Sequence, residues 1–313
     1  MSILETVDLR DAGAVEATLQ LGAAACRDAA CRRAGGGSIE LVRVSPADPK
    51  MSRTLIASGD LHDHPLHLAR LVSAAGMHDA NDPQGAAHLT LHELIHGERL
   101  VNGLDYSFRV LARAAALKAA FPERCHVLLA NHEIAQLTGS AVAKNGVRCN
   151  DVFDEALEAA FGDAAGRVRE AVRAFLRALP LAVRFETDGD GGAAGTVLCA
   201  HSLPAPELMD RFDMGVLARP LTDDDFLPRR GAAHLLTWGR GHTPADVERL
   251  ASAWNVGLFV LGHEHVEHGA AAIGDRALVL NSDHNRGVYA RIDLSRPASA
   301  VDLAARAIRL SEG

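Results

Sequence analysis

The stretch RTLIASGDLHDH, residues 53–64, joins a short apolar run to a polar cluster. Its first five residues have the length and the aliphatic content of a buried strand. The run leads directly into Asp60 and His62, two residue types that bind divalent cations. Because residues two apart after a strand can point the same way, this stretch predicts a carboxylate and an imidazole side by side at a strand end.

Three later apolar runs end in the same manner, at residues 126–130, 195–200 and 256–261. The polar residues that follow them are Asn131 and His132, His201, and His263 and His265. In an α/β sheet, ligands gather at the carboxyl ends of the strands. Four such clusters delivered to one edge therefore predict a single site that binds metal.

Composition excludes several classes of protein and leaves this chemistry open. The chain has 313 residues, of which 48% are hydrophobic and 23% charged, and this excludes a disordered, collagen-like or coiled-coil chain. Its 16 histidines favour metal or proton chemistry. A net charge of −8 argues against binding of a nucleic-acid backbone, although a local metal site can still bind phosphate.

Cysteine usage and the apolar pattern predict a cytoplasmic protein with no membrane partner. Five scattered cysteines form no CxxC pair, which is typical of free thiols in a reducing compartment. The first residues are acidic, unlike a signal peptide, and no apolar run reaches membrane-spanning length. We expect a helix-and-strand extension over residues 1–50 and one domain over 51–313, with a helical, cap-like insertion at about 150–180.

In chain order, GDLH (59–62), ANHE (130–133), His201-Ser202 and GHEH (262–265) resemble the motifs of the calcineurin-like metallophosphoesterase superfamily. Residues 109–133, with Trp238 onward, resemble its phosphoprotein phosphatase branch. The resemblance covers about residues 53–293. It implies an α/β sandwich of two mixed β-sheets flanked by helices, with the metal site at one edge.

The same resemblance implies a metal-dependent phosphatase. Two divalent cations are expected, manganese first, with iron or zinc as alternatives. The implied ligands are Asp60, His62 and His265 for the first ion, and Asn131, His201 and His263 for the second. A hydroxide shared by the two ions would attack the phosphate ester of a small molecule or a phosphoprotein, and His132 would protonate the leaving group.

The second motif departs from the family pattern Gly-Asp-x-x-Asp. The chain has LHELIHG over residues 91–97, and alignment on Gly97 places His92, Glu93 and His96 at the positions of the Gly and the two Asp residues. A carboxylate can bridge two cations, whereas a neutral imidazole offers one lone pair. We therefore expect Glu93 to be the bridge, with His92 as an added or substitute ligand.

The family's phosphate-binding arginines are also missing, so Arg240, Arg99 or Arg148 is expected to take their place. Two other functions compete. His92-Glu-Leu-Ile-His96 fits the HExxH motif of zinc metalloproteases, with Glu93 as the base, if this stretch is helical. That interpretation leaves the other three clusters unexplained. The second alternative is a non-catalytic metal-binding relative that kept the fold.

Overall fold

The computed structural model describes residues 3–45, 48, 51–79, 85–140, 142–144, 146–187 and 195–311. Within these residues, two mixed β-sheets face each other and helices cover their outer sides. The strands of the larger sheet, in spatial order, are β1 (Ile39–Val44), β7 (Ala182–Thr187), β8 (Thr196–Ala200), β9 (Leu258–Leu261), β11 (Ala277–Leu280) and β10 (Ala270–Ile273).

The smaller sheet carries the first two motifs. Its strands, in spatial order, are β13 (Ile308–Arg309), β12 (Val288–Asp293), β2 (Thr54–Asp60), β3 (His88–His92) and β4 (Cys125–Val127). Strands β2, β3 and β4 run parallel, so their carboxyl ends lie at one edge. A separate hairpin is formed by β5 (Ala143–Lys144) and β6 (Val147–Arg148).

The alternation of side chains along the strands explains the layers. In β9, Leu258 and Val260 belong to one apolar core, while Phe259 and Leu261 belong to the other. The first core collects residues from both sheets, and the second packs the sheets against the helices. Successive strand residues point to opposite faces, so a strand buried on both sides must be apolar throughout. This is why the predicted strands are continuous apolar runs.

Several of the helices begin with a side-chain cap that the local sequence supplies. Their bounds are α1 (Ala12–Asp28), α2 (Ala30–Ala34), α3 (Pro65–Ala74), α4 (Phe108–Ala120), α5 (Asn131–Thr138), α6 (Cys149–Phe161), α7 (Ala165–Ala178), α8 (Ala232–Trp238), α9 (Pro244–Trp254) and α10 (Ala300–Ala305). The side chain of Asp11 caps α1 by accepting from the backbone of the first turn. Helix α9 begins with a capping box between Thr243 and Asp246.

The predicted sandwich of two mixed sheets is confirmed. Helices α6 and α7 occupy most of residues 150–180, and the role of this region as a cap-like insertion stays a prediction. Strand β1 pairs in parallel with β7 at the edge of the larger sheet. The domain boundary at residue 50 stays a prediction. All five cysteines are buried free thiols. Among the described residues, none of the helices has the length and apolarity needed to cross a membrane.

Candidate metal centre

The two sheets meet at the edge where the polar clusters lie. Asp60, the last residue of β2, pairs with His92 of β3 and forms an isolated bridge with Asn281, which follows β11 in the larger sheet. The backbone N–H of His263, after β9, donates to both oxygens of Asp60, at 2.9 and 3.1 Å. Strand ends from both sheets are thus joined at one carboxylate, as the sequence predicted.

Backbone conformation at this edge is unusual. His62, Glu93, His96 and His263 all have positive φ, between 39° and 68°, a region that few residues other than glycine adopt. Such conformations cost about 1–3 kcal/mol each and persist where the surroundings impose them. The carbonyl of Glu93 accepts from the N–H of His62 at 2.7 Å, so two of the turns hold each other. Strain of this kind concentrates at functional sites.

Four side chains converge on one point. The Nε2 atom of His201 lies 2.6 Å from Glu93 Oε2 and 3.0 Å from His263 Nδ1. The amide of Asn131 turns one atom toward the same place, 2.6 Å from His201 Nε2. All four residues are buried. These are the two imidazoles and the amide expected at the second ion, together with the expected bridging carboxylate.

The donors at this point fit a divalent cation. With Oδ1 of Asn131 facing the cluster, a carboxylate, an amide oxygen and two imidazole nitrogens direct lone pairs into one space, and a single proton cannot satisfy them all. Ligands bonded to a shared cation at about 2.0–2.2 Å lie about 3 Å apart, which matches these separations. With the amide rotated, Asn131 Nδ2 instead donates to Glu93 at 3.0 Å.

Glu93 also belongs to a second group of potential ligands, with His62 and His132. Its Oε2 faces His201, whereas its Oε1 lies 3.6 Å from His132 Nε2. The Nδ1 atom of His62 lies 3.1 Å from the carbonyl of Ile95, which can only accept, so the proton of a neutral His62 sits on Nδ1. Nε2 of the neutral His62 then carries the lone pair of the ring. Glu93 therefore stands between two groups of ligands.

A third group contains Asp60, His92 and His201. His92 Nδ1 lies 3.0 Å from His201 Nδ1 and 3.5 Å from Asp60 Oδ1, and His92 Nε2 lies 3.1 Å from the carbonyl of Ser58. The imidazole of His92 therefore lies inside the site, where it contacts His201 and belongs to the group of Asp60.

Burial dominates the electrostatics of this site. It lowers the pKa of His92 and of His201 to about 3, so both imidazoles are neutral at pH 7. Burial and then the neighbouring Glu93 carboxylate raise the pKa of Asp60 well above its usual range. Two carboxylates in a buried site repel each other, and a bound cation would relieve that repulsion. Neutral imidazoles beside carboxylates are the protonation state that metal binding requires.

Of the remaining predicted site residues, some lie next to the converging side chains and others lie away from them. His265 is exposed, its ring 5.4 Å from that of His284, and among the described residues it belongs to none of the ligand groups. Arg240 contacts the carbonyl of His263 at 3.4 Å, next to the converging ligands. Arg99 contacts the ring of His64. Arg148 pairs with Asp151 on the surface. Their roles stay predictions.

The metalloprotease alternative is wrong because the helix that it requires is not formed over residues 92–96. HExxH requires a helix that presents both histidines on one face. Here residues 88–92 form strand β3, and positive φ at Glu93 and His96 excludes a helix over the motif. His92 contacts His201, whereas Nδ1 of His96 bonds to Asp105 at 2.9 Å. The two histidines therefore have different partners.

Sequence reasoning missed two buried carboxylates that support the site. Oε1 of Glu133 accepts from the backbone N–H of Leu94 at 2.8 Å and so holds the turn that follows Glu93. Burial, and then Glu93, raise the pKa of Glu133 to about 8. Asp105 holds His96, whose ring lies 5.5 Å from that of His132. Glu133 stands in the ANHE motif, a usable signal, whereas nothing in the sequence marks Asp105.

A separate group, Cys31, Glu40 and His126, also brings potential ligands together. The carboxylate of Glu40 is already held by Lys118 at 2.7 Å and by Nδ1 of His126. Arg124 can only donate, and its contact with His88 Nε2 makes Nδ1 of a neutral His88 the donor to His126 Nε2. His126 then carries its proton on Nδ1, toward Glu40. Glu40 and His126 therefore form a satisfied hydrogen-bond network in which no lone pair of His126 remains for a metal.

By sequence alone, the chain matches no family model and no curated protein. Its structure is similar to that of a protein serine/threonine phosphatase from Saccharomyces cerevisiae with similarity to human phosphatase PP5. That alignment has a TM-score of 0.60 and 15% identity, and covers 90% of this chain and 83% of the other. It is also similar to a cold-active protein-tyrosine phosphatase from a psychrophilic Shewanella species, with a TM-score of 0.51, 16% identity, and coverage of 81% and 80%.

These identities are too low to carry function, but the likeness extends over most of both chains. The fold implied by the motif resemblance is therefore confirmed: the chain has a fold similar to that of these two phosphatases, with clustered His, Asp and Glu side chains at the edge where its two sheets meet.

Proposed function

We propose that this chain is a metal-dependent phosphoesterase. The observation that carries the proposal is the position of Glu93, whose two carboxylate oxygens face two different groups of potential metal ligands. A carboxylate can join two cations in this way, and it offsets their mutual repulsion. The phosphoesterase fold and the phosphatases of similar structure support the same conclusion.

The proposed ligands follow the groups in the structure. Glu93, Asn131, His201 and His263 would hold one ion. His62 and Glu93 would hold the other, with Asp60 and the exposed His265 as the further expected ligands. The donors are carboxylate, amide and imidazole, a set that suits manganese, iron or zinc. When bound, such ions supply positive charge for phosphate oxygens and lower the pKa of a water molecule.

Residues of the chain itself would donate the proton, contact the phosphate and hold the turn after Glu93. His132, buried beside Glu93, is the proposed proton donor to the leaving oxygen. Of the three expected arginines, Arg240 is the one best placed to contact a phosphate oxygen, since it contacts the carbonyl of His263, whereas Arg99 contacts His64 and Arg148 pairs with Asp151. Glu133 would keep the turn after Glu93 in its strained conformation. The substrate is proposed only as a class, a phosphorylated small molecule or a phosphoprotein.

A substrate panel tests this proposal. Purified protein, stripped of metal and then loaded with Mn²⁺, Fe²⁺ or Zn²⁺ in turn, is assayed on phosphomonoesters, phosphodiesters and a phosphopeptide. We expect hydrolysis of at least one class that depends on added metal. Metal bound at the site with no turnover on any substrate would instead favour the non-catalytic relative. Turnover that persists without metal would contradict the proposal.

A further inference from the structure

His92 stands where the resembled family has glycine, and its two ring nitrogens have different partners. Nε2 lies 3.1 Å from the backbone carbonyl of Ser58, and Nδ1 lies 3.0 Å from Nδ1 of His201. Both histidines are buried, and their rings meet edge to face. A continuous line of polar contacts therefore runs from the Ser58 carbonyl through His92 to His201.

The chemistry at one end fixes the protons along this line. A carbonyl oxygen can only accept, so Nε2 of His92 must carry the proton. A neutral imidazole has one N–H, and Nδ1 of His92 is then an acceptor. Its neighbour, Nδ1 of His201, must be the donor. The proton of His201 therefore sits on Nδ1, and Nε2 of His201 is left with a lone pair.

The surroundings of His201 agree with this assignment on the Nδ1 side, and on the Nε2 side they agree when a cation lies between His201 and the acceptors that face it. On the Nδ1 side, Asp60 Oδ1 lies 3.6 Å away and is another acceptor. On the Nε2 side lie Glu93, Asn131 and His263, the point where potential ligands converge. The lone pair of His201 therefore points to the place where a cation would accept it.

We propose that His92 is a positioning residue that fixes the tautomer of His201, so that His201 presents Nε2 to a divalent cation. This inference rests on the proposed function for the cation, but the tautomer itself does not depend on any activity. It differs from the expectation that His92 is a ligand, because both of its nitrogens are already engaged by Ser58 and His201. Partners of metal-binding histidines typically contribute about 10–100-fold in metal affinity.

Two substitutions separate positioning from ligation. His92→Asn keeps an acceptor near the position of Nδ1, whereas His92→Leu fills similar space without any acceptor. We expect His92→Leu to weaken Mn²⁺ binding about 10–100-fold, and His92→Asn to retain affinity within a few-fold of the unchanged protein. His268→Leu, at an exposed histidine, is the matched control and should bind Mn²⁺ normally.

Nitrogen-15 NMR of the protein loaded with diamagnetic Zn²⁺ reads the tautomer directly, since protonated and unprotonated ring nitrogens have distinct signals. We expect His201 to be protonated at Nδ1 and unprotonated at Nε2, and to lose that preference in His92→Leu. A proton on Nε2 of His201 in the unchanged protein would overturn the inference even if both variants failed to fold. Equal loss of Mn²⁺ affinity in the Asn and Leu variants would also overturn it, because only a ligand role needs the imidazole itself. A protein that binds Zn²⁺ and shows the expected tautomer, but hydrolyses no phosphate ester with any metal, would refute the proposed function and leave the positioning contact intact.

Discussion

A methyl group at Gly262 should break the candidate centre. Gly262 follows β9, and a Cβ atom there would lie 2.3 Å from Asp60 Oδ1 and 2.4 Å from His92 Cε1. Non-bonded heavy atoms normally approach to about 3.5–4.0 Å, so in Gly262→Ala both side chains must shift by about 1 Å. Those shifts would break the contact of His92 with His201 and the backbone contacts of Asp60 with His263.

The expected loss has two parts. Overpacking of a well-packed interior costs about 1–3 kcal/mol of unfolding free energy, which for a chain of 313 residues corresponds to a fall in Tm of about 1.5–5 °C. A misplacement of about 1 Å among catalytic groups lowers turnover about 100-fold. We therefore expect Gly262→Ala to fold at reduced stability and to lose most of its metal-dependent hydrolysis.

Thermal unfolding and Mn²⁺-dependent turnover measure the two parts. Gly166→Ala is the control, because Gly166 lies in α7 and, outside its own helix backbone, an added Cβ would meet no atom of the described residues within 4 Å. That change adds the same methyl group and should be neutral or stabilising by up to about 1 kcal/mol. If Gly262→Ala matched Gly166→Ala in Tm and in turnover, the close packing of Asp60 and His92 on this glycine would be refuted.

Three further predictions concern other parts of the chain. Lys118→Met should cost about 3–5 kcal/mol at pH 7 in urea unfolding, because it leaves Glu40 buried without its cation, and adding Glu40→Gln should restore most of the loss. Burial would raise the pKa of Glu40, but Lys118 and His126 outweigh burial and hold the pKa at about 2. The stabilisation from the pair is therefore present above pH about 4 and lost as pH falls toward 2, so the penalty of Lys118→Met should shrink over that window. His132→Asn should keep its metal content but lose more turnover on alkyl phosphates than on nitrophenyl phosphate; equal losses would argue against its role as acid. His265→Ala should lower the bound Mn²⁺ by one ion per chain in metal analysis, and unchanged content would remove His265 from the ligands.

The strand ends were predictable because two signals coincide in them. A strand buried on both faces must be apolar, and at its end Asp60, His201 or His263 appears at once in the sequence. Strand β3 lacks this signal. Its sequence is HLTLH, and the burial of its two histidines is explained only by partners that the structure reveals. Arg124 and His126 contact His88, and the carbonyl of Ser58 contacts His92.

Supporting contacts were harder to predict than ligands. A backbone carbonyl such as that of Ser58 leaves no mark in the sequence, and the pairing of His96 with Asp105 depends on how a loop closes. The alignment on Gly97 predicted that Glu93 takes the bridging place. In the structure its carboxylate belongs to two groups of potential metal ligands, and its bridging role stays a prediction. Which ligands face His92 depends on the packing of two separate sheets, information that local sequence does not carry.

The most direct test of the account is the metal content and phosphatase turnover of Glu93→Gln, measured together. The exposed Glu158→Gln serves as the control for the same change of charge. If Glu93 joins two ions, the unchanged protein and the control should bind two Mn²⁺ per chain and hydrolyse a phosphate ester. Glu93→Gln should bind fewer than two ions and lose nearly all turnover. A Glu93→Gln protein with two bound ions and normal turnover would contradict the account.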